Sequence, residues 1–231
     1  MHISFILVEP AVPENIGAAA RAIKTMGFTD LRLVNPSDYK CDKALMLAHG
    51  SHDILENARV FQSLENALEG IDFSVATSAK QRWVKQDIIE SRDLKAFLED
   101  KAGTVHSVAI VFGGEESGLS NDEIALCDSV TSIPLLAPYP SLNLAQAVMI
   151  FAYSLAGIVS ESLHEYNSGV KNTGYKPLKE RVIRILNIIG ITKESLVHGR
   201  VLERLSQIGD EDVNLLHSIT AKIDNIIENS D

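Results

Sequence analysis

Ser107-Val-Ala-Ile-Val-Phe112 runs straight into Gly113-Gly-Glu-Glu-Ser-Gly118-Leu-Ser120-Asn-Asp-Glu123, and this stretch decides the fold. Five consecutive apolar residues, three of them β-branched, read as a strand buried on both faces, and such strands belong to parallel sheets covered by helices. Ser120 and Glu123 have the spacing of a capping box, and Leu119 and Ile124 are placed to staple it, so a helix starts just after the turn. A strand, a glycine-rich turn and a capped helix make up one βα step of an α/β protein.

The same alternation extends in both directions. Ile3–Val8 reads as a buried strand, and Pro13-Glu14-Asn15 opens a helix that ends near Gly27. Leu31–Val34 is the next strand, followed by a short helix over 63–69 and a strand at 73–76. Residues 87–100 read as helix, Val130–Ile133 as a last strand, and a long apolar helix follows from about Ser141. The predicted class is therefore α/β, a parallel sheet flanked by helices over residues 1–160. Residues 161–175 lack periodicity and read as a linker. Residues 176–231 read as a helical C-terminal extension: one helix ends at Gly190, a second is capped by Thr192, and a third by Asp210.

Composition narrows the functional classes. The 231 residues carry 21 Lys and Arg against 31 Asp and Glu, a formal charge of −10. A polyanion is repelled by that total, so any nucleic-acid role needs a local basic patch. Two cysteines, Cys41 and Cys127, make neither a disulfide framework nor a four-cysteine metal site. His49 and His52 beside Asp53 fall short of a ligand set, so no metal is expected. The first ten residues lack the basic start of a signal peptide, and Asn143, Gln146 and Ser154 interrupt the apolar stretch 142–159. A soluble, cytoplasmic protein without a membrane span is expected.

Four turns at strand ends carry small, hydroxyl or basic residues. The glycine turn at 113–118 matches neither a phosphate-binding P-loop, nor a dinucleotide fingerprint, nor a nucleophile elbow, because Gly113, Gly114 and Gly118 have the wrong spacing and neighbours. Pro13–Lys24 puts small residues on the first turns of its helix, and Arg21 and Lys24 on one face. Thr77-Ser78-Ala79-Lys80-Gln-Arg82-Trp-Val-Lys85 mixes hydroxyls, cations and an aromatic, a combination that suits phosphate and base contacts. Tyr139-Pro140-Ser141-Leu142-Asn143 stands at the mouth of the long helix. Each also has a plain structural reading: a tight turn, a solvated helix face with Asn15 as its cap, an ordinary loop, and a cap at Ser141.

Taken together, the segments resemble the SPOUT class of RNA methyltransferases, and within it the TrmH-like branch and its TrmJ type, tRNA 2′-O-methyltransferases of the anticodon loop. The residues that carry the likeness are Leu7-Val-Glu-Pro10, Glu14-Asn-Ile-Gly17, Ala20–Gly27, Leu33-Val-Asn-Pro36, Thr77–Ala79, Val111–Ser120 and Ser141–Ala145. The resemblance implies a C-terminal trefoil knot, a homodimer and an S-adenosylmethionine pocket. By matching position, the cofactor contacts are Thr77, Ser78, Ala79, Gly113, Ile133, Pro140, Ser141 and Leu142. The family's catalytic positions fall on Asn15, Arg21, Glu115, Ser141 and Asn143. Arg21, Lys24, Lys80, Arg82 and Lys85 are the expected RNA contacts, joined to a cluster at Lys171, Lys176, Lys179, Arg181 and Arg184 as one basic surface. The implied reaction is methyl transfer to a tRNA ribose 2′-hydroxyl, at anticodon-loop position 32. The alternatives are another tRNA position, ribosomal RNA, or a catalytically silent RNA-binding protein. One departure stands out: Gly114 occupies the place where the TrmJ type often has Arg.

Overall fold

The computed structural model describes residues 1–79, 88–137, 142–159 and 174–228. The chain opens with β1 (His2–Val8), α1 (Pro13–Thr25) and β2 (Asp30–Val34), then α2 (Asp42–Leu47), α3 (His52–Glu56), β3 (Arg59–Phe61) and α4 (Leu64–Ala67). It continues through β4 (Phe73–Thr77), β5 (Ile88–Glu90), α5 (Leu94–Glu99), β6 (Ser107–Phe112), α6 (Asn121–Leu126), β7 (Ser129–Ser132) and α7 (Leu144–Val159). Three helices end it: α8 (Tyr175–Ile188), α9 (Leu196–Ser206) and α10 (Asp210–Glu228).

The strands form one seven-stranded sheet in the order β3-β2-β1-β6-β4-β7-β5, every pair parallel. The expected α/β class is what the structure has. The apolar strand β6 is central, and the pleat sorts its neighbours between two cores. Ile3, Phe5 and Leu7 of β1 face a core shared with α1, α5 and α7, while Ile6 and Val8 face one shared with α4 and α6. Because all strands are parallel, all seven carboxyl ends lie along one rim, where α/β proteins place their sites.

Three expectations change. Ile88 and Ile89 belong to the edge strand β5 rather than to a helix from residue 87, because pairing with Val130 and Thr131 of β7 overrides local helix propensity. Ser195, not Thr192, caps α9: its side chain accepts from Val197 N at 3.2 Å, while Thr192 donates to Glu194. Asp210 begins α10, but its carboxylate accepts from Gly103 N and Thr104 Oγ1, both at 2.6 Å, and so ties the helix to the sheet domain. The C-terminal helices are accordingly packed on that domain, with Tyr175, Leu178, Leu205 and Val213 in its larger core. The linker expected at 161–175 lies almost wholly outside the described residues.

Candidate active site

The site begins with two loops that leave adjacent strands. After β1 the chain turns at Glu9, held at φ 49°, and Pro13 enters α1 at its first turn. After β6 the chain turns at once. A Cβ on Gly113 would sit 2.1 Å from Leu119 N, and Gly118 closes the turn at φ 66° with its N–H donating to Gly114 O at 3.0 Å. Only glycine fits position 113, so the turn that matched no phosphate motif is a tight fold that presents Glu115 to the β1–α1 loop.

The Glu115 carboxylate accepts from Ala11 N at 2.9 Å, Val12 N at 3.2 Å and Asn15 Nδ2 at 2.8 Å. Burial alone would raise its pKa, but the Asn15 bond and the backbone N–H donors outweigh it and hold the carboxyl below its usual value. An ionised carboxylate only accepts, so Asn15 must turn its amide nitrogen to Glu115 and its oxygen away. That oxygen accepts from Asn143 Nδ2 at 2.7 Å. Asn143 in turn accepts from Ala145 N at 2.9 Å and donates its own N–H to Gln146 Oε1 at 3.2 Å. One chain of hydrogen bonds thus links the β6 turn, the β1–α1 loop and the start of α7. Asn15 is not the cap of α1, as its local position suggested. The cap position is Val12, and the Asn15 side chain is spent on tertiary bonds instead.

Next along the rim, β4 and β7 end side by side. Thr77 Oγ1 donates to Val111 O at 2.9 Å, and Ser78 N to Thr131 O at 2.9 Å, so the ends of β4, β6 and β7 are laced together. Half-buried Ile133 directly follows β7, half-buried Leu142 precedes α7, and Ala79 is exposed. Pro140, Ser141, Lys80, Arg82 and Lys85 lie outside the described residues.

Among the cations, Arg21 is exposed on α1 and its side chain has no hydrogen bond or ion pair among the described residues, whereas Lys24 pairs with Asp53 at 2.6 Å. Of the single basic surface expected, Lys80, Arg82, Lys85 and Lys171 lie outside the described residues, and three of the α8 cations are engaged with carboxylates. Lys179 is drawn to Asp128, just before β7, and Arg181 and Arg184 converge on Asp224. Asp128 and Thr104, the anchors of α8, precede strands, so that helix docks at the rim opposite the site. Sequence reading missed Gln146, although Asn143-x-x-Gln146 has capping-box spacing. It also missed the backbone of Ala11 and Val12, for which no side-chain signal exists.

The geometry is that of a rim-sited α/β enzyme, and comparison with known proteins gives the class. The model of the SpoU rRNA Methylase family matches residues 2–153, and that of the tRNA/rRNA methyltransferase LasT C-terminal domain matches residues 172–227. The chain belongs to the SpoU methylase family, within the SPOUT class of methyltransferases. It is 38% identical over 224 residues to a protein of Escherichia coli strain K12 named as an uncharacterized tRNA/rRNA methyltransferase LasT, covering 97% of this chain and 98% of that one. It is 34% identical over 240 residues to the tRNA (cytidine/uridine-2′-O-)-methyltransferase TrmJ of Cronobacter sakazakii, covering 96% of each. The crystal structure of TrmJ from Z. mobilis ZM4 superposes with a TM-score of 0.66 at 25% identity, covering 97% of this chain and 100% of that one.

Proposed function

We propose that the protein methylates a ribose 2′-hydroxyl of tRNA in the anticodon loop, using S-adenosylmethionine. The observation that carries this reading is the Glu115–Asn15–Asn143 chain, which closes three loops over one rim beside the laced ends of β4, β6 and β7. Those ends offer backbone polar groups and the half-buried side chain of Ile133, a lining that suits an adenosine and a methionine tail. Thr77, Ser78, Ala79, Gly113, Ile133 and Leu142, with Pro140 and Ser141, would hold the donor. Bound there, it supplies a methyl group on a sulfonium, which needs no metal or covalent intermediate for activation.

The protein's own task is to fix the 2′-hydroxyl and tolerate its developing charge. Glu115 is held by protein donors that lower its pKa and make it a weak base, so it acts as a positioning residue. Arg21, whose side chain has no partner among the described residues, is suited to hold the neighbouring phosphate and steady the alkoxide. Guanidinium does not give up its proton, so the hydroxyl proton passes to phosphate or water. Arg21 lies six residues beyond Asn15, about 9 Å along α1 and about 120° around it. That offset favours its acting in the site of a second copy. The outer face of α7, where Tyr153 is 73% exposed, suits such a homodimer. The insertion of β7 between β4 and β5 is compatible with a trefoil knot of the C-terminal strands.

Ribosomal RNA is the second reading, favoured by the LasT-type C-terminal helices, whose relative is named for both RNAs. Incubation of the protein with labelled S-adenosylmethionine and either bulk tRNA or ribosomal RNA, followed by mapping of the labelled nucleotide, decides between them. Arg21→Ala is expected to keep donor affinity and lower transfer roughly a hundredfold or more. Unchanged transfer would remove Arg21 from the reaction.

A further inference from the structure

Two described residues other than glycine have left-handed backbone, Glu9 at φ 49° and Asn35 at φ 43°. They follow β1 and β2 at matching positions, one step beyond the paired Val8 and Val34. Backbone strain of this kind persists where the surrounding structure enforces it, often around a binding site. Glu9 borders the groove beside Glu115. Asn35 borders another groove, of about 420 Å³, at the ends of β2 and β3, where Ser37, Tyr39, Lys40, Val60 and Gln62 also line it. The reaction described above uses none of these residues.

We propose that this second groove seats a nucleotide of the RNA strand next to the methylated one, its base on the Tyr39 ring and its phosphate at Lys40. The proposal rests on the RNA-methylating reading of the neighbouring site. Position supports it. Glu9 N donates to Val34 O at 2.8 Å and Ser37 N to Pro10 O at 3.0 Å, so the groove is tied to the loop that holds Glu115. The β2–β3 gap and the β1–β6 gap are two strand spacings apart, about 10 Å, which is adjacent on the scale of an RNA strand.

The lining has the right chemistry. Tyr39 packs partly against the main core and carries the Lys40 ammonium 5.4 Å over its ring. An exposed cation over an aromatic ring is a weaker contact than a stacked base. A base can therefore take the ring and release the ammonium to the phosphate. The Asp38 carboxylate, which would repel a phosphate, turns back to accept from Lys40 N at 3.2 Å. Ser37 Oγ is buried with no hydrogen-bond partner among the described residues, a polar atom for a ribose or phosphate oxygen. Asn35 Nδ2 donates to Gln62 O at 3.1 Å and fixes the groove's width, and Val60, 47% exposed on the edge strand, gives it an apolar wall.

The test is steady-state methylation of bulk tRNA by the full-length protein, with donor affinity measured separately. Tyr39→Ala is expected to raise KM for tRNA about tenfold, with kcat and donor affinity within about twofold, and Tyr39→Phe to behave as wild type. Val60→Glu puts a negative charge in the groove without opening the core, and is expected to raise the same KM severalfold. Lys40→Gln is expected to reduce the slope of log Kd against log salt by roughly 0.7. Ultraviolet crosslinking to 5-bromouridine-substituted tRNA is expected to mark the peptide that contains Tyr39. An unchanged KM in Tyr39→Ala and Val60→Glu, with active wild type, overturns the groove assignment alone. A wild-type protein that methylates no RNA overturns the functional reading beneath it.

Discussion

At the carboxyl rim of the sheet, Glu115 accepts three uncharged N–H groups, two from backbone and one from Asn15. At the amino rim, Asp128 accepts Ser74 N and Ser74 Oγ, both at 2.8 Å, then Tyr175 Oη at 3.3 Å and the Lys179 ammonium. Each carboxylate gathers donors from distant parts of the chain, but they hold different things. Neutral donors at Glu115 fix loops without consuming a cation. At Asp128 a cation and a phenol from α8 are consumed to staple that helix to the sheet, and the Asp128 side chain is only 5% exposed. The first carboxylate is satisfied without a cation, and the second spends one on stability. This is also why a protein of net charge −10 need not use its α8 cations on RNA.

The largest expected effect breaks the amino rim. Asp128→Ala leaves Lys179 and Tyr175 without their acceptor, and losing one partner of a largely buried pair costs about 3 kcal/mol. Urea unfolding is expected to show that loss, while transfer per folded molecule stays within about twofold. Glu115→Gln is expected to do the reverse. The new amide turns a donor toward the N–H groups of Ala11 or Val12, misplaces Asn15 and lowers methyl transfer roughly a hundredfold. It should cost only about 1–2 kcal/mol of stability, because the site is half open to water. If the two variants lose stability and activity in the same proportion, the division of labour between the rims is wrong.

The carboxyl rim was the more legible from sequence, for a physical reason. Its parts are local: a continuous apolar run at 107–112, glycines where the turn needs them, a capping box at Ser120 that the structure contains in full. Local signals place each loop at a strand end, and the parallel sheet gathers those ends. What could not be read was the link across 128 residues between Asn15 and Asn143, because an Asn near a helix start has the same local pattern whether it caps or reaches away. The amino rim left no trace. Asp128 is one acidic residue before a short strand, and its partners come from β4 and α8. The short strands β3 and β5 were missed as well. With three residues each, they depend on pairing with a neighbour, not on a pattern of their own.

The smallest expected effect sharpens the contrast by pH. Lys101, 2% exposed, lies 4.4 Å from the Phe97 ring centre and donates to Ile208 O, which joins the sheet domain to the segment before α10. Burial pushes its pKa down from the lysine norm to about 8, against the pull of Asp100 and Asp210. A lysine that binds its proton less tightly when folded destabilises the fold while both states are charged. That penalty is complete below pH 8 and is relieved as pH rises toward the unfolded value of about 10.5, since the unfolded chain then holds the extra proton. Between pH 8 and pH 10 the wild type is expected to gain about 2 kcal/mol relative to Lys101→Met, in which no such group titrates. Taking the difference between the two proteins cancels the titration of Tyr175, whose phenol burial and Asp128 hold well above its usual value in both. Parallel stability curves across this window would mean that Lys101 stays fully hydrated or fully paired, and that the amino rim carries no unrelieved charge.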